Sequence, residues 1–318
     1  MKGLELSRSY YEEFGRDMIK DLFPELEGFI ACGLVGEGSE CFGFDDEIST
    51  DHDFEPGFCL FIPDGEDKVD SRTEFRLERA YASLPKEYRG YKRQRLSPVG
   101  GNRRGVIRIG DFYKKFTGRP DGLKTLGDWL GIEEHFLASA TNGEIFRDDS
   151  GVFSAIRRSI AYYPSDVFKK KLAGSLLMMA QAGQYNYTRC IKHGETGAAQ
   201  LAANLFVTHA MHAVFLLNRR YMPYYKWSFR ALRGLEKFPQ FAETFEYLLT
   251  TDNGAENAET KGFVIEDIAG MIIGELQEQG LTGAVCGDLE KHAYSVNDGI
   301  ADPGLRNEHI LLTVKSAV

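Results

Sequence analysis

The sequence has no long apolar run and no apolar segment near its start. No stretch approaches the roughly 20 consecutive apolar residues that a membrane-spanning helix requires. Charged residues occur throughout residues 1–23, a pattern that argues against a signal peptide. We therefore expect a cytoplasmic protein without a membrane segment.

Cysteine pairs and an excess of positive charge are also absent from the sequence. The five cysteines form no CxxC pair and show no regular spacing, so we expect reduced and mostly buried thiols. The 47 acidic residues outnumber the 38 lysines and arginines, which gives a formal net charge of −9. Because nucleic-acid binding needs a broad basic surface, we do not expect nucleic acid to be a general partner.

What is present indicates two domains of different character. The 318 residues are enough for two hydrophobic cores. Apolar runs bounded by glycine or proline predict strands at 28–36 and 54–62, and residues 104–116 begin as a strand and turn helical. Nearly every later segment has helical periodicity. We predict an α+β protein, with a mixed sheet and flanking helices in residues 1–120 and an all-helical domain in residues 121–318.

Residues 36–54, "GEGSECFGFDDEISTDHDF", concentrate acids just before an apolar run. If residues 51–62 are extended, the side chains of Asp51 and Asp53 point to one face of a strand. Two neighbouring carboxylates repel each other, and burying them unpaired is costly. A divalent cation removes that cost, and Mg²⁺ (or Mn²⁺) prefers carboxylate oxygens and commonly shares them with substrate phosphates. The pair therefore predicts a metal site.

Gly38 and Ser39, which precede these acids, fit the same chemistry. Glycine lets the backbone approach a phosphate closely, and a serine at a helix start adds a hydroxyl to the exposed amides. The stretch thus predicts a phosphate-binding loop, which we call the phosphate cradle, next to a metal site. The alternative is a solvated acidic loop with a helix cap, and the residues alone leave both interpretations open.

Gly-Ser followed by a short turn and a DxD motif on a strand resembles the DNA polymerase beta-like nucleotidyltransferase superfamily. The whole of 36–54 is similar to one branch of it, an uncharacterised bacterial domain family with a nucleotidyltransferase fold. That branch also has elements similar to "AYYPSDVF" (161–168), "RRYMPYYKWSFRAL" (219–232) and the late "QGLTG" and "IADPGLRNEH". The resemblance extends over about residues 30–310 in ordered blocks.

The resemblance implies transfer of a nucleoside monophosphate from an NTP to an acceptor, with pyrophosphate as the leaving group. It implies that Asp51 and Asp53 hold the catalytic metal ions, and that Gly38 and Ser39 bind the β and γ phosphates. The superfamily takes a third carboxylate from a later strand. The nearest candidate in this sequence is Asp111, which lies just past the end of the predicted strand.

Residues 86–104 hold seven cations and one acid in a chain that is acidic overall. One interpretation is a basic lip that attracts a triphosphate, formed by Arg93, Arg95, Arg103 and Arg104. The other interpretation is a solvated loop. We include Arg95 among the candidate nucleotide-binding residues.

The segment "YMPYYKW" (221–227) interleaves aromatic residues with one lysine. Lys226 is a candidate to pair with a phosphate, and Tyr224 and Trp227 are candidates to stack on a base or an acceptor ring. We expect this block to face the metal site. The alternative is a helix-to-helix turn whose aromatic side chains are buried.

Two further features have weaker signals. Tyr187 is a candidate for the acceptor pocket, with ordinary packing as the alternative. His209 and His212 lie three residues apart and resemble half of a metal site. No carboxylate occurs at helical spacing from them, so packed histidines are the favoured interpretation.

The favoured function is a metal-dependent nucleotidyltransferase that binds an NTP and modifies a small-molecule or protein acceptor. The alternative is a catalytically weak or inactive NTP-binding sensor or interaction protein, which the lack of a clear third acid supports. An RNA-directed transferase is disfavoured by the net negative charge.

Overall fold

The computed structural model describes most of the chain, as residues 1–48, 54–93 and 103–314. It contains two compact units. These units consist of Met1–Lys124 with Ile132–Ala161, and of Thr125–Gly131 with Tyr162–Val318.

The first unit is built on a small mixed sheet. The described strands in chain order are β1 (Ala31–Leu34), β2 (Cys59–Ile62), β3 (Glu87–Tyr88), β4 (Tyr91–Lys92), β5 (Gly105–Arg108) and β6 (Glu144–Asp148). β3 and β4 form a separate hairpin, and the other four have the order β5-β2-β1-β6. β1 is antiparallel to β2 and β6, whereas β2 and β5 are parallel. The end of β1 and the starts of β2 and β5 therefore meet, and we call this the upper end of the sheet.

Helices account for most of the remaining described structure. In chain order they are α1 (Gly3–Tyr10), α2 (Arg16–Leu22), α3 (Ser71–Ser83), α4 (Ile109–Thr117), α5 (Leu126–Leu130), α6 (Glu134–Thr141), α7 (Val152–Ser159), α8 (Ser165–Met179), α9 (Thr188–Lys192), α10 (Thr196–Leu217), α11 (Tyr225–Leu232), α12 (Phe241–Thr250), α13 (Ala255–Glu278), α14 (Leu289–Asp298) and α15 (Pro303–Asn307).

The central strands β1 and β2 are buried along their whole length, as is typical of apolar runs covered on both faces. A π-helical segment, Tyr11–Gly15, joins α1 to α2. Within this helical region Tyr10 and Tyr11 pack on Phe58. The centroids of their rings lie 6.3 Å and 5.3 Å, respectively, from the centroid of the Phe58 ring. Gly15 permits this approach, because a Cβ there would lie 2.4 Å from the Phe58 ring. The N-terminal helices thus fix the backbone that leads into β2.

The predicted α+β class, the mixed sheet and the helical C-terminal portion are confirmed. Strand β2 is shorter than the prediction for 54–62. Pro56 has no amide hydrogen to donate, and the Phe58 amide donates to the Tyr81 hydroxyl rather than to a neighbouring strand. Strand β6 corrects the prediction that residues 121–318 are all helical. Its sequence, "EIFRD", has too few apolar residues for a strand signal, and it forms by pairing with β1. Residues 132–161 accordingly belong to the first unit, so the units do not divide at residue 120.

Within its described residues, the regular secondary structure of the second unit is all helical. A π-helical segment, Ala180–Tyr187, joins α8 to α9, so that one continuous helix extends from Ser165 to Lys192. Among the described helices, α10 is the one long and apolar enough to cross a membrane by composition. However, 61% of its apolar window is buried inside the protein, as in a core helix.

A buried cluster of charges joins three chain segments at the upper end of the sheet. Arg104, which directly precedes β5, donates to Glu40 Oε1 at 3.1 Å and to Glu55 Oε1 at 3.3 Å. Arg104 and Glu40 are only 8% and 5% exposed. Burial opposes the charged form of Arg104, but the two carboxylates raise its pKa above the ordinary value. The guanidinium is therefore held charged inside the first unit.

We expect Glu40→Gln to lower the free energy of unfolding by about 3 kcal/mol, because it leaves the buried Arg104 charge without its closest partner. Urea denaturation measures this change. Glu37→Gln is the matched control, since Glu37 makes an exposed ion pair three residues away, and its expected cost is below about 1 kcal/mol. Equal losses in the two variants would contradict the importance of the buried cluster.

Candidate functional site

The loop that follows β1 is held by an asparagine from a distant part of the first unit. Asn142 Oδ1 accepts a hydrogen bond from Gly36 N at 2.8 Å, and Asn142 Nδ2 donates to Gly36 O at 2.7 Å. Gly36 has a φ of 105°, in the region that favours glycine. The loop therefore leaves β1 along a fixed path.

Gly38 brings this loop against the buried carboxylate of Glu40. Its φ is 121°, and a Cβ would lie 2.5 Å from a Glu40 carboxylate oxygen. Ser39 precedes a short 3₁₀ helix, Glu40–Phe42, but its hydroxyl makes no capping bond to that helix. Ser39 is half-buried.

A pocket of about 320 Å³ opens between this loop and α4. Its walls come from the loop itself, from the upper end of the sheet and from one face of α4. The lining residues are Val35, Gly36, Glu37, Cys59, Arg103, Ile107, Asp111, Phe112, Lys115 and Phe116.

Four exposed charged side chains surround the pocket. Arg103 and Lys115 are the cations, and Glu37 and Asp111 are the acids. Lys115 pairs with Glu37 at 2.9 Å, and Asp111 lies one helical turn before Lys115 on the same face of α4. An exposed ion pair contributes little stability, so Lys115 can exchange Glu37 for an anionic ligand at small cost.

The chain segment that leads into β2 is anchored by several contacts. Phe54 is buried, and Ser7 Oγ donates to Gly57 O at 2.7 Å. The Tyr81 hydroxyl donates to Phe58 O at 2.8 Å and accepts from Phe58 N at 3.0 Å. Burial raises the pKa of Tyr81 well above its usual range, so the hydroxyl stays protonated and can donate.

The predicted metal ligands Asp51 and Asp53, and the predicted nucleotide ligand Arg95, lie outside the described residues. Their roles stay predictions. In the part of the chain that the structure describes, no group of three or more His, Cys, Asp or Glu side chains is arranged to hold a metal ion. The upstream acid Asp45 has a structural role, because it accepts a hydrogen bond from Gly3 N, 2.8 Å away, at the N-terminus of α1.

The described members of the predicted basic lip have different surroundings. The Arg93 guanidinium lies 4.5 Å from the centroid of the Tyr81 ring and donates to Tyr81 O. Arg104 is buried between two carboxylates. Arg104 therefore cannot belong to an exposed lip, whereas for Arg93 the lip stays a prediction. Arg103 does line the pocket.

Tyr224, Lys226 and Trp227 lie at the start of α11 in the second unit. Lys226 is exposed, and its Nζ lies 4.4 Å from the centroid of the Trp227 ring. Tyr224 is also exposed. Solvent therefore reaches this block, and its role in binding nucleotide or acceptor stays a prediction.

Tyr187 and His209 are packed inside the second unit. Tyr187 is 1% exposed, and its hydroxyl donates to Asn253 Oδ1 at 2.9 Å. Burial raises the pKa of Tyr187 to about 12. Burial, with a smaller effect of His212, lowers the pKa of His209 to about 4 and keeps that imidazole neutral. These surroundings are those expected if Tyr187 and His209 are ordinary packed residues of the core.

The sequence did not single out Lys115 or Asn142. Lys115 follows Asp111 by four residues in a segment with helical periodicity, and this spacing is the signal that places both on one face. Asn142 has no local signal, because its partner Gly36 is 106 residues away in the chain.

We expect Gly38→Ala to lower the free energy of unfolding by about 2 kcal/mol, because the new Cβ meets the Glu40 carboxylate and the backbone is strained. Gly43→Ala is the control. Gly43 also has a positive φ, of 71°, but its surroundings are open, and a cost of about 1 kcal/mol is expected. Urea denaturation of both variants checks the difference, and an equal or larger loss for Gly43→Ala would show that the close contact at Gly38 is unimportant.

Comparison with known proteins gives a match that covers part of the chain. The family model of a domain of unknown function (DUF4037) matches residues 129–228, about a third of the chain. The matched range includes "AYYPSDVF" (161–168) and Lys226 and Trp227. No curated protein and no solved structure matches the chain. Over this stretch, then, the chain is similar to that domain.

Proposed function

We propose that the protein is a metal-dependent nucleotidyltransferase whose first unit binds an NTP at the upper end of the sheet. The observation that carries the proposal is the pocket beside the Gly36–Ser39 loop, with Arg103, Lys115 and Asp111 around it. Cations of this kind bind phosphate groups, and a carboxylate suits a hard divalent cation. The pocket volume falls within the range of small-molecule sites.

The proposed metal ligands are Asp51 and Asp53. The chain that follows them is anchored from Phe54 onward, and Glu55 is joined through Arg104 to Glu40 in the loop after β1. A pair of acids next to an anchored segment loses less conformational entropy on binding a metal than a pair in a free loop. This supports a metal site beside the predicted phosphate cradle.

In the proposed reaction, the acceptor hydroxyl gives its proton to water and its oxygen forms a bond to the α-phosphorus. The bond between the α-phosphorus and the bridging oxygen of the β-phosphate breaks, and pyrophosphate leaves with that electron pair. Mg²⁺, when bound, neutralises the phosphate charges. The backbone amides and hydroxyl at Gly38 and Ser39 orient the β and γ phosphates. Lys115 and Arg103 stabilise the negative charge that develops on the leaving pyrophosphate. The acceptor is a small molecule or a protein.

A second candidate function is an NTP-binding sensor with little turnover. Strand β5 carries no carboxylate, and its last residue, Arg108, pairs with Glu74. In a transferase, Asp111 would have to serve as the third acid. Asp111→Asn discriminates between the two functions: in a transferase it lowers pyrophosphate release but leaves NTP binding in place, whereas in a sensor neither quantity changes.

We expect Asp51→Asn and Asp53→Asn each to remove the Mg²⁺-dependent part of NTP binding, because each deletes a metal ligand. Isothermal titration with each of the four common NTPs, with and without Mg²⁺, measures the effect. The melting temperature should stay the same or rise, since the substitution relieves carboxylate repulsion.

The matched control is Asp67→Asn, at an exposed acid of the same unit. It should bind MgNTP as the wild type does. If Asp53→Asn also binds MgNTP as tightly as the wild type, the proposed site is wrong.

A further inference from the structure

The π-helical segment Ala180–Tyr187 lines a second pocket, of about 650 Å³, inside the second unit. π-helical turns are rare and often occur at functional sites, because the wider turn changes the directions of its side chains. Gln181, Gln184 and Tyr185 from this segment all line the pocket. The volume is that of a typical small-molecule site.

One wall of this pocket is held in place by Gln184. Its Nε2 donates to Gly287 O and to Glu266 Oε2, both at 2.8 Å, and its Oε1 accepts from Leu289 N at 2.9 Å. The start of α14 is thereby tied to the π-helical segment. A side chain with all these partners has little freedom to rotate, so this wall is formed before any ligand binds.

Another part of the lining is held by a buried lysine. Lys170 is fully buried, and its Nζ donates to Glu308 O at 2.7 Å and to Asn297 Oδ1 at 2.9 Å. This fixes the chain segment that carries Ile310 and Leu311, which form apolar lining. The pocket therefore combines a rigid frame with an apolar surface.

The carboxylates that line the pocket are those of Asp288 and Glu290, at the start of α14. His309 also lines it, and no lysine or arginine of the described chain does so. Tyr185 and Tyr294 add two aromatic rings that are 59% and 46% exposed. The Arg189 guanidinium lies 5.4 Å from the centroid of the Tyr185 ring and donates to its hydroxyl at 3.1 Å, so Tyr185 already has one cation beside it.

We infer that this pocket binds a small organic cation in which a short chain joins an ammonium group to an aromatic ring. The ammonium group pairs with Asp288 and Glu290. The ring packs against the tyrosines and the apolar lining, with cation–π attraction adding to the charge pairing. An anion of the same shape is repelled by the two acids. Binding of this cation involves no covalent step and does not depend on the proposed NTP site.

Three compounds of nearly the same shape test the inference by isothermal titration. They are tyramine, a cation; tyrosol, its uncharged alcohol analogue; and hydroxyphenylacetate, an anion. We expect saturable binding of tyramine, affinity about tenfold lower for tyrosol because a charge-assisted hydrogen bond is lost, and the weakest binding for hydroxyphenylacetate. Equal binding of the three compounds, or no saturable binding of tyramine, would overturn the inference.

The variants Asp288→Asn and Glu290→Gln test whether tyramine binds in this pocket. Asparagine is itself a good helix cap, so Asp288→Asn keeps the bond to Glu290 N that begins α14 while removing the charge. Each variant should weaken tyramine binding about tenfold without changing tyrosol binding or the melting temperature. Glu259→Gln, at an exposed acid outside the pocket, should bind tyramine as the wild type does. Unchanged tyramine affinity in the double variant would place the ligand elsewhere and overturn the assignment.

Discussion

The buried guanidinium of Arg104 is the group on which the candidate site depends. Removing this charge from water costs several kcal/mol, and only hydrogen-bonded carboxylates nearby offset that cost. Glu40 and Glu55 supply them, at 3.1 and 3.3 Å. Glu40 lies in the loop after β1, Glu55 lies in the segment that leads into β2, and Arg104 directly precedes β5. One cluster therefore joins the loop that carries the predicted phosphate ligands, the segment that follows the predicted metal ligands and the start of β5.

Around this cluster the framework is rigid, while the charges that face the pocket are exchangeable. Gly36 and Gly38 adopt backbone conformations that favour glycine, and Asn142 holds Gly36 from both sides. Lys115, in contrast, pairs with Glu37 at the surface, where the pairing contributes little stability. When an anion replaces Glu37 at Lys115, the backbone of the site can stay in place, so the conformational cost of binding is small.

Local signals in the sequence predicted much of the fold and only part of the site. Apolar runs and periodicity located β1, β5 and most helices, because those signals lie within a few residues. They could not locate β6, which depends on pairing with a strand more than a hundred residues earlier. The same limit explains Arg104, whose partner Glu40 is 64 residues away and whose charge suggested an exposed lip. Gly38 beside Ser39 is a local signal, although its phosphate role stays a prediction, whereas Asn142 has no local signal.

A crystal structure with Mn²⁺ and a non-hydrolysable NTP analogue tests the central claim, NTP binding at the upper end of the sheet, most directly. The anomalous signal of Mn²⁺ should lie between Asp51 and Asp53. The β and γ phosphates should lie within hydrogen-bond distance of Gly38 and Ser39, with Lys115 released from Glu37. A nucleotide bound elsewhere, with the pocket beside the loop left empty and the Lys115–Glu37 pair intact, would contradict the claim.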